Sequence, residues 1–249
     1  MTNLKNKVAI VTGASSGIGE ATARKLAKLG VKVAVAARRK NKLDILVSEI
    51  EAAGGIAMAV EADVTDKVAC EQLVTHVENT WGKIDILINN AGVMLLGPVQ
   101  NAPLEEWERM INLNVLGLLY MTHAALPIMK KQRSGDIVNV SSVAGRTTRQ
   151  GSAVYNLTKW GVCAFTDALR QELASDNTGL RTILIEPGAV NTELISHNRA
   201  EVRDQVRARV GDIKRLEAED IAAGIVYAVS QPAHVSVNEV LIRPTEQVM

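Results

Sequence analysis

Short runs rich in valine and isoleucine alternate along this chain with longer stretches whose apolar residues recur every three or four positions. The first pattern predicts strands buried on both faces, the second amphipathic helices. Residues 7–12 (KVAIVT) read as a first strand, and 17–29 as a helix closed by Gly30 in a left-handed cap. Further strands are expected at 31–37, 56–62, 84–89, 136–142, 181–186 and 237–242. Helices are expected at 42–53, 66–81, 104–111, 115–131, 152–175 and 219–230, with Gly54-Gly55 and Gly82 ending the first two.

Apolar strands that alternate with helices need helices on both faces and right-handed crossovers. The fold class expected is therefore α/β: a single doubly wound parallel sheet, Rossmann-like, of about seven strands, in one domain over residues 1–249. Residues 193–215 break the rhythm. That stretch is charged and too long for an ordinary connection, so it reads as a small lid or a solvated insertion. Its charges are Arg199, Arg203, Arg207 and Arg209 against Glu201, Asp204 and Asp212, most of them expected on a solvated face.

The charge balance narrows the partners. Lys plus Arg total 28 and Asp plus Glu 27, a net charge of +1, so no basic field points to nucleic acid or a membrane surface. Aromatic residues are 3%, too few for a base-stacking surface. No apolar run reaches about 18 residues, so no membrane span is expected. Polar residues 1–7 run straight into the first strand and are read as carrying no signal peptide. Cys70 and Cys163 cannot build a disulfide framework; they read as small buried hydrophobes in a reducing compartment, hence a cytoplasmic location. His76, His123, His197 and His234 show no ligand spacing, and no metal is expected.

Thr12-Gly13-Ala14-Ser15-Ser16-Gly17-Ile18-Gly19 follows the first strand and opens the first helix. Small residues there let backbone amides approach a pyrophosphate at a helix N-terminus. Gly13, Ser15, Ser16, Gly17, Ile18 and Gly19 are thus candidate cofactor contacts. The stretch also spells G-x-S-x-G around Ser15, the nucleophile elbow of serine hydrolases. That elbow normally follows several strands and needs a later acid and histidine, whereas here the late histidines lie in the insertion and in a Pro-containing loop.

The second strand ends Ala36-Ala37-Arg38-Arg39-Lys40, without the carboxylate that binds a ribose 2′-hydroxyl. Arg38 and Arg39 suit a 2′-phosphate, so NADP(H) is the cofactor expected. Asp63, followed by Val64, is placed to accept from the adenine amino group or to cap the next turn. Tyr155 and Lys159 stand four apart on one helix face. An ammonium beside a phenol should lower its pKa and make it a competent proton donor to a carbonyl oxygen. Ser142, at the carboxyl end of the fifth strand, could hydrogen-bond the same oxygen.

With Asn89-Asn90-Ala91-Gly92, Asn114 and Pro187-Gly188 with Thr192, these motifs make nearly the whole chain resemble the short-chain dehydrogenase/reductase superfamily. The resemblance implies a catalytic tetrad of Asn114, Ser142, Tyr155 and Lys159. Tyr155 would be the acid/base and Ser142 would polarise the carbonyl. Lys159 would hold the nicotinamide ribose and lower the Tyr155 pKa, and Asn114 would support a water. Asn90, Ala91 and Gly92 would lie beside the adenosine ribose, and Pro187, Gly188, Val190 and Thr192 would border the nicotinamide. Asn112 and Ser141 are decoys beside Asn114 and Ser142.

Other stretches, among them Ala144-Gly145-Arg146 and Ile242-Arg243-Pro244-Thr245, are similar to NADP-dependent dehydrogenases of aldehydes and 3-hydroxy acids. Glu186 before Pro187-Gly188 and the absence of an Asp-Gly-Gly ending depart from the wider family. The tail 243–249 is therefore expected to pack differently.

The implied activity is hydride transfer between the nicotinamide and a carbonyl or alcohol carbon of a small-molecule substrate. A non-catalytic NADP-binding regulator or scaffold of the same fold is the alternative. A homo-oligomer, tetramer or dimer, is implied, packed through the helices after Asn114 and Ser152. The substrate pocket is expected between residues 93–96, residues 143–151 and the lid, with Arg146 and Arg149 available to an acidic substrate or turned elsewhere.

Overall fold

The computed structural model describes residues 2–204 and 213–248. Seven strands form one parallel sheet: β1 (Val8–Thr12), β2 (Lys32–Ala37), β3 (Ile56–Glu61), β4 (Ile86–Asn89), β5 (Gly135–Val140), β6 (Leu180–Pro187) and β7 (Glu239–Ile242). Their order is β3-β2-β1-β4-β5-β6-β7, with Val11 in register with both Val35 and Ile88. Among the described residues the helices include α1 (Gly17–Lys28), α2 (Lys40–Ala52), α3 (Lys67–Trp81), α4 (Leu104–Ile111), α5 (Gly117–Gln132), α6 (Ala153–Ser175) and α7 (Ala218–Val229). This is the doubly wound, Rossmann-like α/β fold. The chain reverses its order of strand addition between β1 and β4, where a crevice opens at the carboxyl ends of the strands.

Period-two alternation places β1 in two cores at once. Ala9 and Val11 face one layer with Leu26, Leu43, Ile50 and Ile225, while Val8 and Ile10 face the other with Leu73, Val77, Met121 and Leu173. Helix ends follow their local chemistry. Asp66 accepts from the amides of Val68 and Ala69 to start α3, and Gly82 ends it at φ 76°.

One boundary departs from the hydrophobic pattern. The helices expected at 104–111 and 115–131 are a single run, α4 continuing into α5 through a π-helical stretch, Asn112–Leu116. The extra residue per turn carries the polar Asn112-Leu113-Asn114 segment through the helix without ending it. The joined helix, Leu104–Gln132, is long and apolar enough to cross a membrane by length and composition, with mean hydropathy 1.3 in its best window. One face of it, with Met121, Ala125 and Met129, joins the core on one side of the sheet, and a third of that window is buried.

Candidate active site

The loops that leave the carboxyl ends of β1 to β6 surround a cleft of about 450 Å³. Of the catalytic and cofactor-contact residues expected from the sequence, all line it except Gly19 and Asn114, which lie behind its wall. Among its lining residues are Gly13, Ser15, Ser16, Gly17 and Ile18 after β1, Arg38 and Arg39 after β2, and Asp63 and Val64 after β3. Asn90, Ala91 and Gly92 follow β4, Ser142 follows β5, and Pro187, Gly188, Val190 and Thr192 lie on the far side.

The glycine turn is shaped by its neighbours. Gly13 has φ +64°, and a Cβ there would lie 2.8 Å from Ala91 Cα. Gly19 lies close enough to Asn90 that a Cβ would come within 2.5 Å of its Nδ2, which explains its place behind the wall. Asn90 itself donates from Nδ2 to the carbonyls of Thr12 (3.0 Å) and Gly13 (3.3 Å). Its side chain therefore braces the turn. Ser15 Oγ accepts from Arg39 Nε at 3.0 Å, so the serine is held by a cation where an elbow nucleophile would be held by a histidine.

Asp63 does one of the two things expected of it, capping the next turn, and meets Arg38 besides. Oδ1 caps the following turn through Thr65 N and Oγ1, while Oδ2 faces Arg38 Nη1 at 3.7 Å.

The four residues of the implied tetrad come together, with different partners from those expected. Tyr155 is buried among Val93, Leu95 and Met110. Burial pushes its phenol up to about 12, and a hydrogen bond with Ser142 pulls the other way. Ser142 Oγ also accepts from Ala144 N at 3.1 Å, whereas the neighbouring Ser141 is used up by Lys159 O and Cys163.

Lys159 departs from the expectation that it lowers the Tyr155 pKa. Its Nζ donates to Val140 O at 2.9 Å and lies 5.8 Å from the centroid of the Tyr155 ring, and the phenol answers to burial and Ser142. Burial pushes the ammonium down to about 8.

Asn114 sits in the π-helical stretch and pairs both ways with Val93, accepting from its N and donating to its O at 2.8 Å each. Nδ2 also reaches Thr158 Oγ1 at 3.2 Å. The side chain thus joins the β4 loop to α6 beside Lys159.

A family model described as short chain dehydrogenase matches residues 7–203. The chain belongs to the short-chain dehydrogenase family. This short-chain dehydrogenase is 41% identical over 244 residues to an uncharacterized oxidoreductase of Listeria monocytogenes, covering 98% of each chain. It is similar to a serine dehydrogenase solved in closed form with NADP+ (TM-score 0.90, 34% identity, 97% of this chain and 96% of that one). It is also similar to a short-chain dehydrogenase from Burkholderia phymatum solved with NAD (TM-score 0.89, 27% identity, 97% and 90%).

The pocket walls are partly as expected. Val93, Met94 and Leu96 line the cleft, while Leu95 turns into the core. Arg149 lines it and Arg146 does not, being paired with Glu186 and Glu239. In the lid, Thr192 caps a 3-10 turn, Glu193–His197, and Arg199 pairs with Glu106 of α4 at 3.0 Å. Arg207, Arg209 and Asp212 lie outside the described residues.

Pattern reading missed Glu193 as a site residue, together with Arg109, His197 and Gln247, all of which line the cleft. It also missed Lys42, which is bonded to Glu193. For Lys42 a signal existed: it lies one helical turn beyond Arg39. Gln247 had none, because the tail reaches the cleft by packing over Gly188, with Oε1 accepting from Ala189 N at 2.8 Å. Cys70 is a buried free thiol, but Cys163 sits in polar company, 3.5 Å from Glu186. Among the described residues, no three His, Cys, Asp or Glu side chains group as a metal site.

Proposed function

We propose that this short-chain dehydrogenase is NADP(H)-dependent and interconverts a carbonyl and a primary or secondary alcohol. The observation that carries the reading is the end of β2. It presents Arg39 bonded to both serines of the glycine turn at 3.0 and 2.7 Å, with no carboxylate of its own. A dinucleotide fits the residues present. Gly13 and Gly17 lack a Cβ where the turn meets the β4 loop and the lid, and the Arg39 cluster already holds an anion, Glu193. When bound, the nicotinamide supplies or accepts a hydride.

The chain's own residues manage the proton. With its phenol pushed up to about 12, Tyr155 stays protonated at neutral pH and can donate to a substrate oxygen. Ser142 holds the phenol's orientation and offers a second hydroxyl to the same oxygen. Lys159, pinned to Val140 O, places a cation beneath the Tyr155 ring. Asn114 fixes the β4 loop against α6. Val93, Met94, Leu96, Leu194 and Ile195 give the substrate space an apolar wall that excludes water. The substrate is accordingly a small carbonyl or alcohol.

Two further assignments go with this reading. The proposed contact of a homotetramer or homodimer runs through α5 and α6, where Leu157 and Trp160 of α6 are exposed, and is to be read by light scattering. Two free cysteines support a reducing, cytoplasmic setting.

The test is equilibrium binding of NADPH and NADH side by side, followed by a carbonyl panel. Tighter NADPH binding and steady turnover are expected. Binding without turnover on any carbonyl would favour a regulatory or scaffold role, and equal binding of the two cofactors would overturn the NADP assignment.

A further inference from the structure

Glu193 opens the 3-10 turn at the base of the lid, and its carboxylate is held from across the cleft. Arg39 Nη1 donates to Oε2 at 2.9 Å and Lys42 Nζ donates to Oε1 at 3.1 Å. Ser16 bonds to the same carboxylate, and Arg39 keeps its other two nitrogens on Ser15 and Ser16. Two cations and a hydroxyl therefore converge on one anion beside the glycine turn. Together they hold the Glu193 carboxyl down to about 2, so it is ionised at any working pH.

These contacts do little for the fold. Arg39, Lys42 and Glu193 expose 43%, 43% and 44% of their side chains, and exposed pairs of this kind contribute little stability. Their geometry is that of an anion receptor, with a guanidinium, an ammonium and a serine hydroxyl on adjacent sides. Thr192, next to Glu193, lies over the turn, its methyl 3.1 Å from where a Cβ on Gly17 would stand.

We infer that Glu193 is the resident stand-in for the cofactor's 2′-phosphate at the Arg39, Ser15 and Ser16 seat of that reading, that Lys42 is a further member of the seat, and that Glu193 is displaced when the phosphorylated cofactor binds. The inference rests on the NADP reading above and adds two residues to it. A phosphate monoester brings more charge and one more oxygen than a carboxylate, so it wins the exchange. Displacement frees the lid base from Arg39 and Lys42. A cofactor without the 2′-phosphate leaves Glu193 in place, so the seat selects the cofactor and the lid base registers which one has bound.

The probes are adenosine 2′,5′-bisphosphate and AMP, which differ in the 2′-phosphate alone. Calorimetric titration of the full chain gives the affinities, and hydrogen exchange at the Leu194 amide reports the lid base. Glu193→Gln and Glu193→Ala remove the competing charge and are expected to tighten bisphosphate binding about threefold to tenfold, with AMP changed less than about twofold. Lys42→Ala is expected to weaken the bisphosphate and spare AMP. In the wild type, the bisphosphate should speed exchange at Leu194 and AMP should not. Unchanged or weaker bisphosphate binding in both Glu193 variants overturns the inference; a wild-type preference for the bisphosphate would then still uphold the NADP reading. Equal wild-type affinity for the two probes overturns both.

Discussion

Arg146 donates hydrogen bonds of 2.7 and 2.8 Å to Glu186, whose carboxylate has no exposed surface. The guanidinium also reaches Glu239 on β7. Four residues past Ser142, Arg146 is positioned along the chain as if to meet an acidic substrate, yet it turns behind β6. The two outer strands and the turn after β5 are tied through it. Glu186, a departure from the wider family ahead of Pro187-Gly188, is thereby explained as the partner of Arg146.

Arg146→Met should strand a buried carboxylate and lower stability. Breaking a buried pair usually costs about 3–5 kcal/mol. The guanidinium is 40% exposed, so water replaces part of it and about 2 kcal/mol is expected. In a chain of this size that is a fall in Tm of roughly 4–8 °C by thermal melt. Adding Glu186→Gln should recover part of the loss. A single variant that melts with the wild type would show that the pair does not hold the strands.

Much of this architecture is legible along the chain because both cores follow period-two and period-3.6 rules, as Val8 and Ile10 against Ala9 and Val11 show. The glycine turn and the Tyr155–Lys159 pair are also legible, since each is local. What escapes the pattern depends on contacts between distant segments. Lys159 donates to Val140 O, a backbone acceptor that spacing does not reveal. Asn114 pairs with a peptide 21 residues earlier in the chain. Glu193 is 154 residues from Arg39, and only the folding of the lid over β2 makes them partners.

Arg38 and Arg39 should separate by mutation. Arg39 joins both serines of the turn, while Arg38 is 65% exposed and 3.7 Å from Asp63. Arg39→Ala is expected to weaken NADPH binding about tenfold to a hundredfold, toward the NADH value. Arg38→Ala should cost no more than about threefold. Fluorescence titration of both cofactors reads this directly. A larger loss at Arg38 would move the 2′-phosphate seat away from the turn.

Tyr155→Phe keeps the buried ring and removes the proton. Turnover is expected to fall roughly a thousandfold, within the usual range for a positioned acid or base, with NADPH affinity within about twofold of wild type. Ser142→Ala removes the hydrogen bond that opposes burial of the phenol, so the alkaline limb of the rate profile should move upward as the rate falls. Retained turnover in Tyr155→Phe would assign the proton to another group.

Lys159 makes the cofactor-free protein pH-sensitive in a definite direction. Burial pushes its ammonium down to about 8, against about 10.4 for an unperturbed lysine. Between those values the unfolded chain binds a proton that the folded chain has released. Stability due to this group therefore rises with pH across that window and is flat below it. Tyr155 acts in the opposite sense at higher pH. Its folded phenol keeps a proton up to about 12, which the unfolded chain loses near 10, so stability falls above about pH 10. Lys159→Met removes the first effect and keeps most of the packing. The variant should melt above the wild type below pH 8, and the gap should close as pH rises toward 10. A gap that stays constant from pH 7 to 10 would show that Lys159 titrates as an ordinary lysine and that its burial against Val140 carries no electrostatic penalty.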